Sequence, residues 1–490
     1  MDIVVRCLAL LAFAAWLPLA HAGDTIAYRF EALGSDFTGR FAPLWLSANR
    51  FGLSDAVNGG GYVLAGMTYS RPLGRDFRVE AGADLAAGVA SGVHMVVQQA
   101  YADLSWRHLR LSVGSKERWG YPMDKNHRLS SGMMVEGPNA RPVPQVRLDL
   151  SDFVDVPFTG GWLGFKGHVA YGVFTDNGWQ REFAAPGKQY TRNTLYHSKS
   201  AMLRIGRRDR FPLTLGIGFI SAAQFGGMRM EKQADGSAVI VENMPNKIPD
   251  FFYMLMPSHR NTLENVEGNH CGSWNVSADY YGRGWKARVY IEHYFEDHSQ
   301  MTLQYGRWRD GQLGVEVSLP RNRWVSTVLY EALRTTDQTG PILYDGVAGT
   351  FGDVQMSGCD NYYNNGQFLG WQHWGYGLGH PFMPGPAYND DGSNEFKSTR
   401  VQAHHLGIDG SPTRELSYRL LMSHVRHRGT YKVPLDRVRR QLSSYAEVTY
   451  SPVRFEGWSA TLGIGVDGGD YLGASTGAVL TIKKTGLWTR

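Results

Sequence analysis

The sequence predicts an all-β fold, a transmembrane antiparallel β-barrel, and three observations predict it. Long segments alternate apolar and polar residues with period two. The chain opens on an export signal. The polar face of the alternating segments carries full charges, which a wet lumen tolerates and a sandwich core does not. Glycine (59 residues) and aromatics (12 %) are abundant, which suits strands and tight turns better than helical bundles.

Residues 1–22 read as a secretory signal peptide. Arg6 makes the leading region positive, "CLALLAFAAWLPLA" is an apolar run interrupted by Pro18, and "AHA" supplies small residues for cleavage after Ala22. Residues 23–490 then read as one outer-membrane barrel domain, with no linker or internal repeat. No run of roughly 18 apolar residues follows that could cross a bilayer as a helix. The net charge of +5 comes from 50 basic and 45 acidic residues; being mild and interleaved, it implies no nucleic-acid partner.

Along the chain the alternating segments are these. In "RVEAGADLAAGV" Val79, Ala81, Ala83, Leu85 and Ala87 share one face, and Arg78, Glu80 and Asp84 the other. Leu163, Phe165, Val169 and Tyr171 oppose Lys166 and His168; Trp285, Ala287, Val289, Ile291 and Phe295 oppose Lys286, Arg288 and Glu292. Leu416, Leu420 and Met422 oppose Arg419 and Ser423, and Trp458, Leu462, Ile464 and Val466 oppose Thr461 and Asp467. At the end of the chain Ala478, Leu480, Ile482 and Trp488 share one parity. Such segments run about 9 to 12 residues, the length of a tilted crossing, and number roughly 17 to 20. Trp106, Trp162, Trp285, Phe295, Trp324 and Trp458 mark their ends as an interfacial girdle would. "GRG" (Gly282–Gly284) and "RDG" (Arg309–Gly311) read as periplasmic turns, and 115–144, 177–194, 226–270 and 336–394 as long loops.

One segment breaks the pattern. "LSSGMMVEGPNARPVPQV" (Leu129–Val146) holds Pro138, Pro142 and Pro144, which lack N–H donors and cannot sit in a central strand. It reads as an extended strap that leaves the wall and projects Asn139, Arg141 and Gln145 inward or outward, before "QVRLDL" resumes pairing.

Several stretches, in this order along the chain, resemble the Wzi-type capsule-assembly outer-membrane proteins. They are "FAPLWLSANRFGL", the strap "LSSGMMVEGPNARPVPQVRL", "HSKSAMLRIGRR", "GFISAAQFGG", "YIEHYFED", "LYEALRTTDQTGP" and "DNYYNNGQFLGWQHWGYGLGHPF". The resemblance implies a barrel of about 18 strands, its lumen occluded by long loops, that holds capsular polysaccharide at the bacterial surface in a lectin-like, non-catalytic way. Capsular polysaccharide, outer-membrane lipid and the capsule export machinery are the partners it implies, with no cofactor. A porin-like diffusion channel for sugars or small solutes is the alternative.

Glycan binding needs flat aromatic faces and planar polar groups. Tyr362, Tyr363, Asn365, Trp371 and Trp374 offer both within 360–380, and Asn139, Arg141 and Gln145 of the strap can grip an acidic sugar. Each of these can equally pack loops against the wall. "HVRH" (His424–His427) is metal-like in composition, but period two sends its histidines to opposite faces, so no metal site is expected. No nucleophile motif points to an enzyme. Cys7 leaves with the signal. Five expected strands separate Cys271 from Cys359, at 273–281, 285–295, 301–307, 313–319 and 324–334. The odd count puts the two thiols at opposite barrel ends and unpaired, unless a strand is miscounted or a loop travels down the lumen.

Overall fold

The computed structural model describes residues 23–88, 94–119, 122–256, 268–296, 309–338, 343–344, 355–356 and 360–489. The wall is a closed antiparallel barrel. Its strands are β1 Thr25–Thr38, β2 Gly60–Leu73, β3 Phe77–Gly88, β4 His94–Trp106, β5 Leu109–Ser115 and β6 Gln145–Leu150. There follow β7 Leu163–Val173, β8 Leu195–Ile205, β9 Leu213–Phe225, β10 Asn269–Gly282, β11 Trp285–Phe295 and β12 Gly311–Ser318. The last six are β13 Thr327–Arg334, β14 Val401–Gly410, β15 Leu416–Gly429, β16 Pro434–Tyr450, β17 Trp458–Gly469 and β18 Ser475–Thr489. Val154–Asp155 continues β6 against β7, so the 19 strands of the sheet make 18 crossings. β1 pairs with β18 from Thr25↔Thr489 to Thr38↔Thr476. That seam leaves no open edge for lipid to face.

The alternation sorts as expected. Leu462, Ile464, Val466, Leu480, Ile482 and Trp488 point outward and are exposed, while Asp84, Arg147, Glu292, Glu331, His405 and Asp467 point inward and are buried. The two ends differ. Short turns such as 107–108, 206–212 and 283–284 lie at the end that holds Thr25 and Thr489, here the turn end. The described residues of the segments 39–59, 116–144, 174–194, 226–268 and 335–400 lie at the opposite, loop end. Among the described residues they carry three short α-helices, α1 Leu44–Ser47, α2 Trp179–Phe183 and α3 Ile248–Leu255, and a 3-10 turn at Pro386–Tyr388. Trp106, Trp162, Trp285, Trp324, Trp458 and Trp488 are all exposed and all at the turn end, a one-sided girdle.

Three expectations change. Phe295 keeps the outward parity of β11 but sits at the loop end, only 4 % exposed and near Trp274, so it is no part of the girdle. The expected strand 301–307 lies outside the described residues, and β11 pairs directly with β12 through Glu292↔Gln312. Removing that crossing from the wall reverses the direction of every later strand, so Arg309–Gly311 belongs to the loop end, not to a periplasmic turn. Cys271 is a buried free thiol with Sγ 3.8 Å from Glu296 Oε1; Cys359 lies outside the described residues, as do residues 1–22, where the leader is expected.

Candidate functional site

The lumen is filled by its own loops. The strap (116–144) enters from β5 and returns to β6, and inward wall carboxylates hold it. Buried Lys125 donates from Nζ to Glu292 Oε2 at 2.6 Å, to Gly132 O at 2.9 Å, and to Gln312 Oε1. Glu292 Oε1 also accepts the Met134 N–H at 3.0 Å. Glu331 accepts Ser130 Oγ at 2.8 Å, the Ser131 N–H at 2.6 Å, and the Tyr290 hydroxyl. His405 sits between Ser423 Oγ (2.8 Å) and Leu129 O (2.7 Å). At Gly407 an added Cβ would lie 2.9 Å from Leu129 Cβ, so the wall needs glycine where the strap touches it. Each of these lumen-facing charges thereby finds a partner that its burial demands.

Two more pieces complete the plug. The one-turn helix α1 packs Trp45 and Leu46 into the core, and Trp45 Nε1 donates to Ser423 Oγ at 3.1 Å. The 335–400 segment lays Trp371, Phe382 and Phe396 beside the strap.

The eight residues expected to bind glycan fall into two groups. Tyr362, Tyr363 and Trp371 have no accessible surface. The Tyr362 hydroxyl donates to Asp310 Oδ2 at 3.1 Å, that of Tyr363 to Met134 O, and Trp371 Nε1 to Val135 O at 2.8 Å. Asn139 bonds Gly377 O at 3.1 Å and the Asn49 N–H at 3.4 Å, clamping strap to loops. Asn365 caps a turn by accepting the Gln367 and Phe368 N–H groups. These five act on protein groups in this arrangement.

Arg141, Gln145 and Trp374 are placed differently. Arg141 and Gln145 line one cavity of about 60 Å³ with Lys116, Arg118, Glu136 and Arg147. Arg141 lies 4.4 Å over the Trp374 ring and donates to Gly52 O at 3.3 Å. Lys116 is shared by Asp103 (2.7 Å) and Glu80 (3.0 Å), and Arg147 lies 3.7 Å from Asp149. Burial pushes Arg118 and Arg141 each down to about 10, with Arg147 adding repulsion at Arg118, so both stay cationic at neutral pH. Burial pushes the Glu136 carboxyl up. The cavity has room for a few waters or one carboxylate, not a pyranose ring. Sequence reading missed Lys116, Arg118, Glu136 and Arg147. Only Arg147 carried a signal, since it shares parity with Gln145 at the start of β6.

The histidines behave as alternation predicts. His427 is buried beside Ser398 and stacked on Tyr471 at 3.7 Å, whereas His424 faces outward next to His404. Among the described residues no cluster of three potential ligands could hold a metal ion.

No protein-family model and no curated protein sequence matches the chain. Solved structures do match. The chain folds as an outer-membrane β-barrel. One similar structure is Escherichia coli Wzi, described as an outer membrane protein involved in group 1 capsule assembly and a carbohydrate-binding β-barrel. It is 13 % identical, with a TM-score of 0.56 over 97 % of this chain and 87 % of that one. Acinetobacter baumannii OccAB2 is 8 % identical, with a TM-score of 0.50 over 95 % and 98 %. The outer membrane protein OprD of Pseudomonas aeruginosa is 8 % identical, at 0.46 over 95 % and 94 %. At these identities the likeness is one of fold.

Proposed function

We propose that the protein is exported by its leader, inserted with its loop end at the cell surface, and retains capsular polysaccharide there without turning it over. The observation that carries this reading is the plugged lumen. The strap is pinned to the wall by the fully buried Lys125–Glu292 pair, and the 335–400 segment to the strap by buried Tyr363 and Trp371, which suits holding a polymer at the mouth better than passing solutes. The cationic cavity under Arg141 favours an acidic polymer, because guanidinium grips a carboxylate in a fork. The fold shared with Wzi supports the glycan class, and the loop asymmetry supports the orientation. Capsular polysaccharide, outer-membrane lipid and the capsule export machinery are the partners of this reading.

Deleting the gene in an encapsulated host should shed capsule into the medium while synthesis continues; capsule that stays cell-bound would defeat the proposal. On a glycan array, detergent-solubilised protein should prefer uronic-acid polymers to neutral ones. A diffusion channel, by contrast, would conduct steadily in planar bilayers, where the wild-type chain is expected to be silent.

A further inference from the structure

One helix, α3, lies outside the barrel. Pro249 sits in its first turn, and the Asp250 carboxylate accepts the Lys247 N–H at 2.5 Å. Its side of the wall follows from parity. On β9 the outward residues Leu215 and Ile217 are exposed, but Ser221, Ala223 and Phe225, of the same parity, are 8 %, 0 % and 2 % exposed. On β8 Leu203 and Ile205 are exposed outward while His197 is fully buried. The cover is α3. Phe251 lies 5.0 Å from the Phe225 ring and 5.4 Å from that of Tyr171, whose hydroxyl donates to Phe251 O at 2.6 Å. Outward-pointing Lys199 donates to Met254 O at 2.5 Å, near the helix C-terminus, where a cation is favoured.

The opposite side of α3 has no protein partner among the described residues. Ile248, Phe252 and Met256, spaced four apart, are 77 %, 66 % and 76 % exposed. Their level on the barrel decides what covers them. Lys199 is in register with Val169 of β7, which is an exposed outward residue of the apolar band. The stripe therefore extends the lipid-facing surface of the wall sideways, at its loop-end margin. Lys247 stands exposed at the start of the stripe, placed for a lipid phosphate.

We propose that α3 is a membrane-surface anchor: Ile248, Phe252 and Met256 insert at the headgroup–acyl boundary of the leaflet around the loop end, as the apolar face of an interfacial helix does. The anchor has a mechanical consequence. The hairpin Met228–Lys232 and Ala238–Asn243 joins β9 to α3, and Arg229 Nη1 donates to Gly366 O of the 335–400 segment. The cover of the mouth is thereby tied to the bilayer surface.

Spin labels at Phe252→Cys, and separately at Ile248→Cys and Met256→Cys, test this in phosphatidylcholine–phosphatidylglycerol vesicles, with labelled wild type as background. Ser237→Cys at the hairpin tip is the water-exposed reference. The ratio of oxygen to nickel-chelate accessibility should be several-fold higher at the three stripe positions than at position 237. Equal ratios would overturn the proposal. Spin–spin broadening that grows with protein density would also overturn it, in favour of a second copy on this face. The result does not depend on whether the mouth binds polysaccharide, since no glycan is present.

Discussion

Lys125→Met is the sharpest test of the plugged lumen. The ammonium and its partner Glu292 are 0 % and 1 % exposed and 2.6 Å apart. Methionine keeps the stem but strands a carboxylate inside the lumen. Breaking such a pair costs about 3 to 5 kcal/mol. Here the low end applies, because Glu292 keeps the Met134 N–H at 3.0 Å and Ser273 Oγ at 3.1 Å. About 3 kcal/mol shifts the balance between docked and released strap by roughly two orders of magnitude. Planar-bilayer recording should show brief openings in the variant that the wild type lacks, in barrels that still resist sodium dodecyl sulfate at room temperature. Lys125→Met with Glu292→Gln removes the stranded charge and should close the lumen again. If the single variant stays silent, or the double variant opens as often as the single, the carboxylate does not hold the strap.

Other outcomes rest on the same geometry. His373 accepts the Thr175 N–H at Nε2 (3.2 Å) and meets Arg141 O through Nδ1 (2.9 Å), and burial pushes it down to about 4. A folded pKa below the unfolded one means that the unfolded chain binds more protons. Stability should therefore be flat above pH ~6.5 and fall by up to about 3 kcal/mol toward pH 4; His373→Gln should flatten part of that slope in thermal melts followed against pH. Trp371→Ala removes a fully buried indole and its bond to Val135 O, and should cost about 3 to 5 kcal/mol, read as an earlier heat-modification midpoint on gels. Arg141→Ala, which loses the Trp374 contact worth about 0.5 to 2 kcal/mol, should fold but retain less capsule. An unchanged capsule halo would remove Arg141 from the binding reading.

The wall was legible because lipid imposes a local rule. Leu480, Ile482 and Trp488 each answer to the bilayer one residue at a time, and alternation is a property of neighbours in sequence. The strap was legible for a similar reason, since Pro138, Pro142 and Pro144 together remove three N–H donors within seven residues, where the lone Pro72 near the end of β2 removes one and the strand still pairs. The plug was not legible. Lys125 meets Glu292 across 167 residues and Ser131 meets Glu331 across 200, and nothing local distinguishes those charges from others that face a wet lumen. The aromatics of 360–380 promised a sugar platform, yet the same rings serve as filling, because a loop folded into a barrel needs a core of its own. α3 escaped notice because "IPDFFYML" is apolar nearly all round: with Phe251 against the wall and Phe252 away from it, no polar face marks the period.

The strap also joins parts of the wall that are far apart in the chain. It precedes β6 in the chain, but its partners include Glu292 on β11 and, 276 residues beyond Leu129, His405 on β14. What results is a strut: the strap spans the lumen from β5 and β6 to β11, β13 and β14, bracing strands that the ladder alone joins only through their neighbours.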